Sequence, residues 1–304
     1  MKRSTYLTII SLLLLSLLSA CQGQKEKEQI AFESYRDGNA EVYLMDEDGG
    51  NLVNLTNDPA YDGMPSWSPD GQRLAFTSER DGNPDVHIID MDSGESERLT
   101  NGGGFNVDPS WSPDGEKMLF LSNRTYFIPG KGGTTEVTAN PKLWSMDVEG
   151  GKAKRMTSEL GLDMFGDWSP DGQRIIFMST RDGNEEIYLR HANGEEENLT
   201  SNPARDTNPV FSPDGKKVAF MSDRDGNLEI YVMDVETGEV TNLTNNPAAD
   251  GDPAWSPDGK KILFISDRDG NTEIYVMDAD GSNVKRLTNN PADDIHPQWR
   301  PKTK

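Results

Sequence analysis

Apolar residues in this chain fall in short runs separated by turn residues. One stretch holds Ile262-Leu263-Phe264-Ile265 and then Ile274-Tyr275-Val276-Met277, with Asp258-Gly259, Asp269-Gly270-Asn271 and Asp280-Gly281 around them. Such β-branched and aromatic runs between turn residues predict strands. Asp-Gly tolerates the positive φ that tight hairpin turns require. Long stretches with apolar spacing of three and four, the mark of amphipathic helices, do not occur. The unit therefore reads as four strands, A to D. Pro-x-Trp-Ser-Pro lies in A, Ile-Leu-Phe-Ile-Ser in B, Glu-Ile-Tyr-Val-Met-Asp in C, and D ends at Leu-Thr.

The unit is written six times. Its aromatic marker stands at Trp67, Trp111, Trp168, Phe211, Trp255 and Trp299, with spacings of 44, 57, 43, 44 and 44. A period of about 40–50 residues fits a four-stranded propeller blade. The first unit starts at Ile30-Ala31-Phe32 and lacks a strand A, whereas the last element, His296–Pro301, is a strand A with nothing after it. One end supplies what the other lacks. The expected fold is an all-β, six-bladed β-propeller, closed by pairing of the C-terminal strand with the N-terminal strands.

Trp-Ser-Pro-Asp-Gly, followed by Ser-x-Arg-Asp-Gly-Asn-x-Glu-Ile-Tyr-x-Met-Asp, resembles the TolB-type propeller repeat, a WD40-like (PD40) repeat that tricorn-like and dipeptidyl-peptidase-like propellers also use. The resemblance covers roughly Ile30 to Pro301 and implies a six-bladed ring. It extends to the propeller alone, since the TolB family carries a further α/β domain ahead of it and only Gln22 to Gln29 stand between Cys21 and the first expected strand here.

The N-terminus reads as targeting rather than fold. Lys2 and Arg3 precede an apolar stretch from Leu7 to Leu18, too short to span a bilayer comfortably. Leu18-Ser19-Ala20-Cys21 then looks like a bacterial lipobox, with Cys21 as the acylated first residue of the mature chain. Cys21 is the single cysteine, so no internal disulfide is available. The expected organisation is a lipoprotein signal peptide at 1–20, an acylated Cys and polar tether at 21–29, and the propeller at 30–304. Localisation follows as the cell envelope, anchored by lipid, at the outer membrane facing the periplasm in a Gram-negative organism or at the cell surface.

Charge narrows the partners. The formal net charge is −22, so nucleic acid and anionic lipid head groups are poor partners and cations, basic peptides or neutral glycans are better ones. The second marker spacing carries about 13 extra residues, which include Tyr126, Phe127 and Ile128 in a B–C connection. Apolar residues in a loop on a rigid scaffold mark a candidate partner-binding segment.

Five residues before each marker stand Asp62, Asp163, Asp206, Asp250 and Asp294, with Asn106 in the second unit. Together with Asp108, Asp252 and His296, two residues further on, they form a candidate acidic ring at one mouth of the channel. Such a ring could hold Ca²⁺, which takes oxygen ligands. A structural reading competes with it. Arg36, Arg80, Arg124, Arg181, Arg224 and Arg268 each follow the strand-B Ser by two residues, and one Arg–Asp staple per blade would neutralise the ring without a ligand. The six-fold repetition favours the staple.

Catalytic motifs are absent: no Gly-x-Ser-x-Gly, no His-Glu-x-x-His and no phosphate-binding Gly loop. Of the three histidines, His87 replaces the strand-C Tyr, and His191 is expected on the rim opposite His296. The expected function is a non-catalytic, monomeric, protein-binding scaffold of the envelope, with an envelope protein or peptide as partner. The alternative is a polysaccharide-binding or glycan-processing propeller of the oligogalacturonate-lyase kind, dependent on a cation.

Overall fold

The computed structural model describes residues 27–124, 126–130, 133–137, 140–157 and 161–302. The targeting segment, Cys21 and most of the tether lie outside the described residues. Six four-stranded antiparallel sheets account for nearly all the regular structure. Four are built from consecutive strands, and one from Asn106–Trp111, Lys117–Ser122, Lys142–Asp147 and Lys154–Arg155, with a hairpin between its second and third strands. The sixth blade is composite, with Asp294–Trp299 paired to Gln29–Ser34, then Glu41–Asp46 and Val53–Asn54. The register at the seam matches Ile30 with Trp299 and Ser34 with Asp294. The two ends of the chain therefore close the ring as the sequence predicts.

The innermost strands are Asp62–Trp67, Asn106–Trp111, Asp163–Trp168, Asp206–Phe211, Asp250–Trp255 and Asp294–Trp299. Each touches the next, and the last touches the first. Strand B of each blade is buried on both faces, which is why it reads as a continuous apolar run. Its central Phe (Phe32, Phe76, Phe120, Phe177, Phe220 and Phe264) is fully buried in every blade. Clusters between blades form the core. Trp67 packs on Ala31, Val42 and Leu44 of the composite blade, and Trp299 packs on Ala254 and Leu263 of the fifth.

The turns divide the molecule into two rims. B–C and D–A connections emerge on one, A–B and C–D connections on the other. The extra segment of the second spacing forms its own hairpin, Tyr126–Gly130 with Gly133–Val137, on the first rim. Sequence reading marks it only as a loop.

Candidate functional site

Each innermost strand has the same irregularity. Its third residue adopts the left-handed conformation: Met64, Asp108, Phe165, Asn208, Asp252 and His296, with φ between 47° and 57°. Pro follows it in five blades and Gly166 in the third. Pro has no N–H for the ladder, so the pairing slips there and a bulge forms. In the second blade the shift falls between Val107 and Ser110, and the other blades match. Gly166 has a packing reason as well, since a Cβ there would come within 2.6 Å of Leu143 Cδ1. The bulges turn six side chains toward the axis. They line a cavity of about 150 Å³ together with Ser66, Ser110, Asp167 and Gln298.

Two layers that sequence reading joins in one ring are thus separate. Asp62, Asp163, Asp206, Asp250 and Asp294 are buried and do not line the cavity. Each faces the Arg of its blade: Arg80–Asp62 at 2.8 Å, Arg181–Asp163 at 3.1 Å, Arg224–Asp206 and Arg268–Asp250 at 2.9 Å, and Arg36–Asp294 at 2.9 Å across the seam. Arg124 instead donates to Asn106 Oδ1 at 2.5 Å. The guanidinium also donates through Nε to the strand-B Ser and lies over the Phe and Tyr rings, as Arg36 lies 4.6 Å from the Tyr43 centroid. Burial pushes the Asp62 and Asp294 carboxyls up, and the Ser and Arg partners oppose it. Asp163 takes a second cation in Lys142, at 2.8 Å. The periodic Asn54, Asn198 and Asn242 are structural as well, each donating to the turn Asp of its blade.

Asp108, Asp252 and His296 do line the cavity. Asn208 donates to Asp252 at 2.8 Å. His296 sits between two carboxylates, with Nδ1 3.0 Å from Glu33 and Nε2 3.6 Å from Asp252. Burial alone would lower its pKa, but Asp252 and then Glu33 outweigh burial and raise it to about 9. The ring is therefore a cation at neutral pH. Asp108 has one carboxylate oxygen buried without a hydrogen-bond partner. Burial raises Asp108 to about 6, and Asp167, on the next blade, likewise to about 6. These two carboxyls have no ion-pair partner among the described residues.

Glu33 is the residue sequence reading missed. The matching position holds Thr77, Leu121, Met178, Met221 and Ile265 in the other blades, so a charge here breaks the repeat. Glu33 is fully buried. Its Oε2 accepts from His296, from the Tyr61 hydroxyl at 3.1 Å and from the Met64 N–H at 3.1 Å. Gly63 leaves room for it, because a Cβ there would collide with the Glu33 carboxylate and the Tyr61 hydroxyl. Burial pushes Glu33 up, and His296, with Tyr35 and the Met64 N–H, more than reverses it, so its pKa is lowered overall.

His87 is buried against Phe76 and His191 pairs with Glu197 at a C–D turn, so the three histidines do not meet. Among the described residues, no group of three or more His, Cys, Asp or Glu is arranged to hold a metal ion.

A six-bladed ring with this repeat defines a class. The chain matches the PD40 family, the TolB beta propeller domain, over residues 20–128 and 192–304, and it belongs to that family. It is similar to the TolB of Acinetobacter baumannii at 27% identity and a TM-score of 0.78, covering 96% of this chain and 71% of that one. A protein assigned as TolB from Agrobacterium tumefaciens is 24% identical, with a TM-score of 0.69 and 90% of each chain covered. An oligogalacturonate lyase from Vibrio parahaemolyticus shares the fold at 16% identity and a TM-score of 0.56, over 86% of this chain and 74% of that one. No curated protein matches the chain in sequence.

Proposed function

We propose that the protein is a lipid-anchored, non-catalytic scaffold of the bacterial cell envelope that binds another envelope protein or peptide at the channel mouth. One observation carries the reading. Six backbone positions are identical around the mouth, yet their side chains differ; Asp167 stands there without a counter-charge, and Asp108 shares the single cation His296 with Glu33 and Asp252. Residues repeated in every blade serve the fold, whereas residues that vary on a common frame are free to recognise. The partner would bring an ammonium or guanidinium group to the mouth, and the hairpin from Tyr126 to Val137 rises on the same rim to meet it. Ca²⁺ is the competing occupant of the same carboxylates. Similarity to TolB supports the scaffold reading in general terms.

Deleting Thr125–Glu136 tests the proposal. The hairpin is a separate two-stranded sheet outside the blades, so the melting temperature is expected to change by no more than about 2 °C, which corresponds to under ~1 kcal/mol for a domain of this size. Partner recovered from envelope extract should fall at least tenfold, read by quantitative pull-down. Full recovery without the hairpin would remove it from the interface, and a collapsed melting transition would make it structural.

A further inference from the structure

We infer that the propeller rests on the bilayer by the rim of its A–B and C–D turns, through an apolar patch of Leu52, Val53 and Val284, so that the channel mouth points away from the membrane. The inference rests on the lipid-anchor reading above.

Chain geometry supplies the first argument. Gln29 begins its strand at the A–B/C–D rim, paired with Asp46, and Ser34 ends it at the mouth rim, paired with Glu41. Lys27 is held at the former rim by Asp48 at 2.7 Å and Asp46 at 3.3 Å. Six residues lead from Cys21 to Lys27. Fully extended they reach about 20 Å. A six-residue strand is itself about 20 Å long, and turns add to both ends. A tether of that length cannot bring the mouth rim to the lipid.

Surface chemistry supplies the second. Among the described residues, the exposed large hydrophobics are Tyr35, Leu52, Val53 and Val284. Tyr35 lies on the mouth rim. Val53 begins the outer strand of the composite blade, and Leu52 and Val284 immediately precede the outer strands of the composite and fifth blades, on the rim that carries the tether. Lys285 Nζ reaches Asp48 O at 3.5 Å, and Gly49 packs against the Leu287 backbone, so the two strands are neighbours there. The position of Val53 holds Glu97, Lys154, Glu197, Thr241 and Lys285 in the other blades. Only the blade that carries the tether exposes an apolar side chain at this place, at 54%. Apolar groups clustered beside charged ones mark a surface made for an interface.

The test uses the acylated full-length protein on vesicles of phosphatidylethanolamine and phosphatidylglycerol doped with doxyl-labelled phosphatidylcholine. The mature chain has no free thiol once Cys21 is acylated, so Val284→Cys and Glu79→Cys each give one labelling point, on opposite rims. Flotation reports the anchor, and a Cys21→Ala chain should not float. Among floated protein, dye at position 284 is expected to be quenched several-fold more than dye at position 79. Adding Leu52→Asp and Val53→Asp should leave flotation intact and bring the quenching at 284 down to the level at 79. Equal quenching at both rims in the parent protein, or quenching at 284 that ignores the two aspartates, overturns the docking surface while the anchor stands. Failure of the parent protein to float overturns the anchor and the surface with it.

Discussion

Arg36→Ala is expected to lower unfolding stability by about 3 kcal/mol, the lower part of the range for breaking a buried pair by removing one partner. Asp294 is fully buried, and Arg36 is largely so. Without the guanidinium, Asp294 keeps hydrogen bonds from Asn290, Ser34 and Thr288 but loses its charge partner. Arg36 also covers Phe32 and Tyr43, and that stacking goes with it. The position matters because Arg36 and Asp294 are 258 residues apart and join the two chain ends. Arg224→Ala removes the same staple inside one continuous blade and is expected to cost a similar amount. For a domain of this size, about 3 kcal/mol corresponds to a melting-temperature loss of roughly 6–10 °C. Differential scanning calorimetry of both variants checks it, and a loss below about 2 °C for either would make the staples surface pairs of little weight.

Raising the pH from about 6.5 to 9 should destabilise the wild-type protein, and His296→Ala should abolish that slope. His296 is raised to about 9 in the folded state from an ordinary value of 6.5. A group raised on folding contributes stability that is complete below its unfolded pKa and lost as pH rises through the folded one. The full shift is worth about 3 kcal/mol, and the 27% exposure of the side chain reduces this to about 2 kcal/mol. The groups facing His296 are Glu33, Asp252 and Asp108, contributed by three separate blades. Asp108 and Asp167 act the same way at lower pH, losing their contribution between about 4 and 6. Turn carboxylates such as Asp258, held at about 2, oppose this only in stronger acid. The stability maximum should therefore lie on the acid side of neutrality. At pH 7, His296→Ala also leaves Glu33 buried without a counter-charge, with hydrogen bonds only from Tyr61, Tyr35 and the Met64 N–H, and a cost of about 3 kcal/mol follows. Urea midpoints from pH 5 to 9 for the two proteins decide it; parallel curves would contradict the assignment.

Much of the fold is legible in the chain because every blade solves the same problem. Asp-Gly turns, buried strand-B runs and the offset chain ends predict the ring, and the six Arg and five Asp residues predict the staples. The mouth is harder to read. Its left-handed position holds Met64, Asp108, Phe165, Asn208, Asp252 and His296, and no shared side chain signals a shared backbone. The following Pro is the readable clue, through its missing N–H. Sequence spacing likewise puts Asp62 and Asp108 near one rim, but side chains alternate across a strand, so a shift of two residues past a bulge separates a buried staple from a channel lining. Glu33 was visible as a departure from Thr77 and Leu121, yet its meaning depends on His296, which lies 263 residues away.

Photo-crosslinking tests the central claim most directly. Benzoylphenylalanine replaces Phe165, which lines the cavity, and in a second protein Lys260, which is exposed on the opposite rim. Binding at the mouth predicts that one envelope protein is captured from position 165 and not from 260. Capture of that protein from 260, with none from 165, would contradict the assignment of function to the channel mouth.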